Sequence, residues 1–236
     1  MGTVDTVLGW LDHAGVAVFA ASGALTASRK QLDIVGFCLI ATVTGIGGGT
    51  LRDLLLGGPV YWVQQPSYAV LCLAVAVAVF FVAPHLESRL RALLWADAVG
   101  LALFCVTGAQ KALLAGAHPV VAVLMGVMTA TFGGIIRDVL CAELPLVLRQ
   151  EIYATAALLG ALIYAGLATA GAGEPAAQAT GFVAAFGLRA VGIAFGLSLP
   201  AYKARPGRSY GEVYPRSEPA PDPGRTGPPV GRPRDH

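Results

Sequence analysis

Slid along itself by 85 positions, this chain meets itself again without a gap. Trp10 falls on Trp95, Asp12 on Asp97, Gly15 on Gly100, Phe19 on Phe104, and Ser22-Gly23-Ala24 on Thr107-Gly108-Ala109. Farther on, Thr44 falls on Thr129, Gly48-Gly49 on Gly133-Gly134, Arg52-Asp53 on Arg137-Asp138, and Tyr68-Ala69 on Tyr153-Ala154. Any two apolar helices share alanines and leucines. Matches of Gly, Trp, Asp and Arg-Asp at one constant offset point instead to a duplicated unit, so both copies must adopt one fold.

Charge composition decides what surrounds that fold. Charged residues make up 13% of the chain and hydrophobic residues 56%, whereas a soluble domain carries about 25% charged residues. A membrane-spanning helix needs about 20 mostly apolar residues, and seven such runs are predicted at 5–27, 32–56, 68–84, 91–114, 119–140, 151–171 and 178–199. Turn or charge signals separate them, among them Arg29-Lys30, Gly57-Gly58-Pro59, His118-Pro119 and Gly171 to Pro175. Three runs fall in each copy. Three is odd, so the second copy enters the membrane from the opposite side, related to the first by a pseudo-twofold axis in the membrane plane.

The expected fold class is therefore an all-α membrane protein of seven transmembrane helices: two inverted three-helix repeats (1–84 and 85–171) plus a seventh helix (172–199). Residues 200–236, rich in Pro, Arg and Gly, are expected to form a disordered cytoplasmic tail. Short-loop basic residues set the orientation. Arg29, Lys30, Arg89, Arg91, Arg149 and the tail's Lys203, Arg205 and Arg208 share one side, which the positive-inside rule makes cytoplasmic. The amino terminus then lies outside, consistent with an odd number of spans in a cell membrane, taken as a bacterial inner membrane.

Cys38, Cys72, Cys105 and Cys141 are far apart, with no C-x-x-C pair and no histidine at ligand spacing. They read as small buried hydrophobes rather than a disulfide framework or metal site. No His or Cys pair stands at catalytic spacing, so no enzyme, cofactor or nucleic-acid role is expected.

Two segments carry the candidate chemistry: Thr44 to Asp53, with Gly47, Gly48 and Gly49, and Thr129 to Asp138, with Gly133 and Gly134. Successive glycines weaken a helix and free carbonyls, which at membrane depth must meet protein or water. A broken helix there suggests a lined cavity in which carbonyls and the Thr44 and Thr129 hydroxyls hold ions. Equally, Gly45-x-x-x-Gly49 fits the small-residue pattern that lets helices approach closely. Hydroxyls in such helices also often bond a carbonyl one turn back.

An Arg or Asp at mid-membrane costs about 2.5–3.5 kcal/mol on insertion scales, so buried charges should face the interior and pair. Arg52 and Asp53 stand roughly 100° apart around a helix. The expected pairs therefore cross the repeats: Arg52 with Asp138, and Arg137 with Asp53. Asp12 and Asp97, nearer helix starts, are candidates for either dipole capping or an ion site. Lys111, whose counterpart is Thr26, is a possible gate or a snorkelling side chain.

With these residues assembled, the chain resembles the prokaryotic members of the trimeric intracellular cation channel (TRIC) family. The likeness rests on Gly-Gly-Gly-Thr-Leu-Arg-Asp at 47–53, Gly-Gly-Ile-Ile-Arg-Asp at 133–138 and the three-plus-three-plus-one helix plan. It implies a homotrimer in membrane lipid, each protomer enclosing its own pore for potassium or other monovalent cations. It also implies that the second and fifth helices kink at Gly47 to Gly49 and at Gly133-Gly134, with Arg52, Asp53, Arg137 and Asp138 as the motif's charged residues. Phe132 stands where the first copy has Gly47, which implies a weaker second kink. Bacterial relatives have also carried a glycine-transporter label, so a secondary carrier of a small solute remains the alternative.

Overall fold

A computed structural model of the chain describes residues 3–86, 88–149 and 151–198. The expected tail at 200–236 lies outside the described residues. Seven long helices and one short one follow in order: α1 (Thr3–Arg29), α2 (Ile34–Leu55), α3 (Tyr61–Gln64), α4 (Ser67–Val82), α5 (Arg89–Leu114), α6 (Pro119–Leu140), α7 (Ala154–Thr169) and α8 (Glu174–Phe195). Single turns of 3-10 helix sit at Ala83–His85 and Leu146–Leu148. Of the long helices, α2, α4 with its 3-10 extension, α5, α6 and α8 are long and apolar enough to cross a membrane. The apolar α7 is shorter, at 16 residues.

Local chemistry sets the ends. Asp33 caps α2 through the Gly36 amide (2.8 Å), and Ser88 caps α5 through that of Arg91 (3.3 Å). α6 opens on Pro119 and α8 carries Pro175 in its first turn, where a missing N–H costs nothing. The seventh helix was expected at 178–199. It begins four residues earlier because Glu174-Pro175 forms a first turn, and it stops at Phe195 because Gly196 adopts a left-handed conformation (φ 62°).

Packing repeats with the sequence. In the first copy α1, α2 and α4 pack on one another; in the second, α5, α6 and α7 do the same. The copies meet through α1 against α5 and α2 against α6, while α8 packs on α5 and α7. Contacts across the interface are reciprocal. A Cβ on Gly15 would strike the Phe104 ring, and one on Gly100 would strike that of Phe19 (3.0 Å). A Cβ on Gly48 would collide with the Thr129 carbonyl oxygen, and one on Gly133 with that of Thr44. Positions that rise along α2 meet positions that fall along α6, so the helices cross antiparallel. The repeats are inverted.

That crossing reassigns the glycines. Helical structure is continuous through Gly47, Gly48 and Gly49 and through Gly133 and Gly134, so the expected break with freed carbonyls is not present. The small residues instead remove side chains where two backbones touch, as close helix packing in a membrane requires. Around them the buried core is rich in alanine, capped by the Phe19–Phe104 pair at 5.1 Å.

Candidate functional site: two charged ends of the inter-repeat seam

Thr44 lies level with Gly133, and Arg52 and Asp138 run away from that level in opposite directions. At 1.5 Å per residue they stand about 20 Å apart along the bundle. The expected ion pairs Arg52–Asp138 and Arg137–Asp53 are therefore excluded. Each arginine instead curls onto the aspartate next to it. Arg52 donates through Nε (2.8 Å) and Nη2 (2.7 Å) to Asp53 Oδ1, and Arg137 donates through Nε to Asp138 Oδ1 (2.7 Å). The four-bond arginine stem overrides the roughly 100° between neighbours on a helix. Each aspartate's second oxygen accepts a backbone amide from the following loop: Tyr61 N–H to Asp53 and Leu146 N–H to Asp138, both 3.0 Å. The duplicated Arg-Asp thus ties the helix end to its own connector, once at each end of the bundle.

Beyond this shared device the ends differ. At the Arg137 end, Nη1 also donates to Asp97 (2.7 Å) and to the Ser22 hydroxyl of the first repeat (3.0 Å). Arg137 and Asp97 are completely buried, at 0% exposure each. Asp97 Oδ2, Arg137 Nη2 and the Tyr153 hydroxyl have no partner among the described residues. At the Arg52 end, Asp12, the counterpart of Asp97, does not pair with its own repeat's arginine. It forms an ion pair with Lys111 of the second repeat. The Tyr61 ring of α3 lies between the two cations, 5.8 Å from the Arg52 guanidinium and 5.2 Å from the Lys111 ammonium. That ring packs onto Gly49 and meets Tyr68 edge-on (4.6 Å); Tyr68 in turn stacks on His13 (3.9 Å). Trp62 donates to Thr50 (2.9 Å), holding α3 over α2.

Other expected residues fall as follows. The Thr44 and Thr129 hydroxyls bond the Ile40 (2.5 Å) and Met125 (2.6 Å) carbonyls one turn back. Both pack against a glycine of the neighbouring helix, Gly23 and Gly108. Each hydroxyl thus spends its proton on its own helix and keeps only its oxygen lone pairs. Asp12 and Asp97 do not cap helix starts, since α1 and α5 begin well before them; both are in ion pairs. Lys111 does not snorkel away but turns inward to Asp12.

Two polar groups were not foreseen. Arg189 of α8 is buried, donating to Glu151 (2.9 Å) and the Ile152 carbonyl (3.1 Å), with its guanidinium over the Tyr153 ring (5.1 Å). Glu174 accepts from Gln110 and Tyr164 (both 2.7 Å), and Gln178 bonds Gln110 (2.9 Å). These contacts fasten the unpaired seventh helix to the second repeat. A charge in the apolar run 178–199 was the available signal for Arg189.

Comparison with known proteins matches this geometry. A family profile described as "Glycine transporter" fits residues 9–84 and again 94–169, two stretches of equal length at the spacing of the duplication. The UPF0126 inner membrane protein YadS of Escherichia coli (strain K12) is 40% identical over 196 residues, spanning 82% of this chain and 95% of that protein. A UPF0126 membrane protein of Vibrio cholerae serotype O1 is 40% identical over 207 residues, 84% of each. Among solved structures, the TRIC trimeric intracellular cation channel orthologue from Rhodobacter sphaeroides superposes with a TM-score of 0.80 at 56% identity, covering 81% of this chain and all of that one (100%). A prokaryotic TRIC channel crystallised in 0.5 M KCl gives 0.77 at 34% identity, covering 82% and 99%.

Proposed function

Because this chain belongs to the prokaryotic TRIC channel family, a membrane family whose members include the UPF0126 proteins, we propose that each protomer conducts monovalent cations, potassium foremost, along the seam between its two repeats. The observation that carries this reading is the inverted pair of buried charged clusters, one at each end of that seam. Burying five or more ionised side chains at membrane depth costs stability that packing alone has no reason to require. At the Arg137 end, unpartnered polar atoms on Asp97, Arg137 and Tyr153 are groups that water would satisfy. At the Arg52 end, the Asp12–Lys111 pair lies against the Tyr61 ring. We assign that pair as the closed gate, because it joins the two repeats and parts without breaking either Arg-Asp dyad.

In the open state, carbonyls and hydroxyls along α1, α2, α5 and α6 replace part of the ion's hydration shell. Bending at Gly47 to Gly49 and at Gly133-Gly134 belongs to that opening step. The functional unit is a homotrimer in lipid, with the amino terminus outside and the carboxyl terminus in the cytoplasm, in keeping with the basic loops at Arg29, Lys30, Arg89 and Arg149. A second reading, alternating-access transport of a small solute such as glycine, is kept by the description of the matching family profile. Planar-bilayer recording of the purified protein separates them. Discrete unitary potassium currents support the channel; saturable glycine flux with no unitary events replaces it with the carrier.

A further inference from the structure

A cleft of about 400 Å³ opens between the first turns of α8, the later turns of α5 and the early part of α1. Leu11, Leu103, Val106 and Phe182 supply its hydrocarbon wall, and Thr107 and Gln178 its polar groups. Its volume is in the range of small-molecule sites. Along α8 it runs from Pro175 in the first turn to Phe182, about 10 Å at 1.5 Å per residue. Trp10, 74% exposed beside Leu11, belongs to the same end, the position at which tryptophan marks the headgroup level.

Thr107 makes this more than a greasy groove. It is 1% exposed, and its hydroxyl has no hydrogen-bond partner among the described residues. Its counterpart in the first repeat, Ser22, is fully engaged: it donates to the Phe19 carbonyl (2.9 Å) and accepts from Arg137 (3.0 Å). Arg52, the arginine equivalent to Arg137, is spent on Asp53. Thr107 is left with a donor that needs an acceptor, in a wall whose other polar side chain is Gln178. Gln178 donates its amide nitrogen to Gln110 (2.9 Å), which fixes the side chain beside the cleft, and the Thr107 hydroxyl is not bonded to it.

We propose that this cleft binds one acyl chain of a membrane phospholipid, with the ester carbonyl oxygen accepting from the Thr107 hydroxyl. Bilayer lipid is the medium that faces the cleft, an ester carbonyl lies one to two helical turns below the headgroup level, and the chain beneath it matches the apolar wall. A bound chain there would wedge α8 against α1 and α5, the helix that carries Lys111.

The full chain in phosphatidylethanolamine–phosphatidylglycerol vesicles, with a trace of phospholipid bearing a diazirine near the top of one acyl chain, provides the test. After irradiation, label should concentrate several-fold on the first two turns of α8 and on residues 103–107, relative to the exposed face of α4 at Val70, Leu73 and Val77. Thr107→Val keeps the shape and removes the hydroxyl, so it should lower cleft labelling several-fold and leave α4 unchanged. Ala179→Phe, at an exposed position on the cleft rim, should lower it further. Equal labelling of cleft and α4, or Thr107→Val labelling that matches the unmodified chain, would mean that only bulk lipid visits the groove and would overturn the proposal.

Discussion

The same three duplicated charges, Asp12/Asp97, Arg52/Arg137 and Asp53/Asp138, are partnered differently at the two ends of the seam. At one, Arg137 gathers Asp138, Asp97 and Ser22, and so binds its own connector, its own first helix and the other repeat. At the other, Arg52 holds Asp53 alone, and Asp12 reaches across to Lys111. One substitution explains most of the divergence. Position 26 of the first copy is Thr and its image in the second is Lys111. A lysine there supplies a cation for Asp12, which therefore does not need Arg52. Duplication gave a symmetric frame, and a single unmatched charge turned one anchor within a repeat into a contact between repeats.

The comparison breaks first at the arginines. Arg137→Ala strands two buried carboxylates, a loss of about 3–5 kcal/mol by the usual cost of splitting a buried pair. Arg52→Ala strands one carboxylate, Asp53, where Arg137→Ala strands two, and each repeat's dyad aspartate keeps its loop amide, so its loss should be smaller. Thermal midpoints of monodisperse protein in detergent would rank the two; equal losses would dissolve the distinction between anchor and gate. Next come Gly48→Ala and Gly133→Ala, each forcing a methyl into the opposite helix's carbonyl, for about 1–3 kcal/mol of overpacking. Matching losses at the two sites would confirm that the crossing, unlike the charged ends, has stayed symmetric. Lys111→Gln strands the Asp12 carboxylate, which is 4% exposed, so it should lower the thermal midpoint as well as raise open probability several-fold in bilayers if the pair closes the gate.

The smallest effect concerns the loop charges. Glu143 accepts from Arg29 (3.2 Å) and lies 3.3 Å from Lys30. Burial alone would raise its pKa, but these two cations more than offset that and hold it below the ordinary carboxylate range. A lowered folded-state value means that its contribution is complete above about pH 4.3, the unfolded value, and fades as pH falls through the folded one. A melting series from neutral to acid should therefore show a drop below about pH 4 that is reduced in Glu143→Gln.

Much of this was legible in the sequence. The duplication, the odd repeat and therefore the inversion all follow from Gly, Trp and Arg-Asp matches at a fixed offset. The pairing of charges did not, for two physical reasons. Angular separation on a helix argues against an Arg52–Asp53 pair, but an arginine stem spans it easily. Inversion itself also sends identical motifs near helix ends to opposite faces, which already forbids Arg52 from meeting Asp138. The glycines were ambiguous because backbone freedom and close approach select the same residue; only the opposing Thr44 and Thr129 carbonyls decide for packing. The connector helix α3, placing Tyr61 between two cations, has no periodic signal in four residues.

Exchanging the two charges of the Asp12–Lys111 contact tests the account most directly. Single-channel recording in potassium should show Asp12→Lys and Lys111→Asp each failing to close normally, while the double exchange, which restores an ion pair of reversed polarity across the repeats, recovers long closures. Unitary currents whose gating is the same in all four proteins would contradict the assignment of this end as the gate.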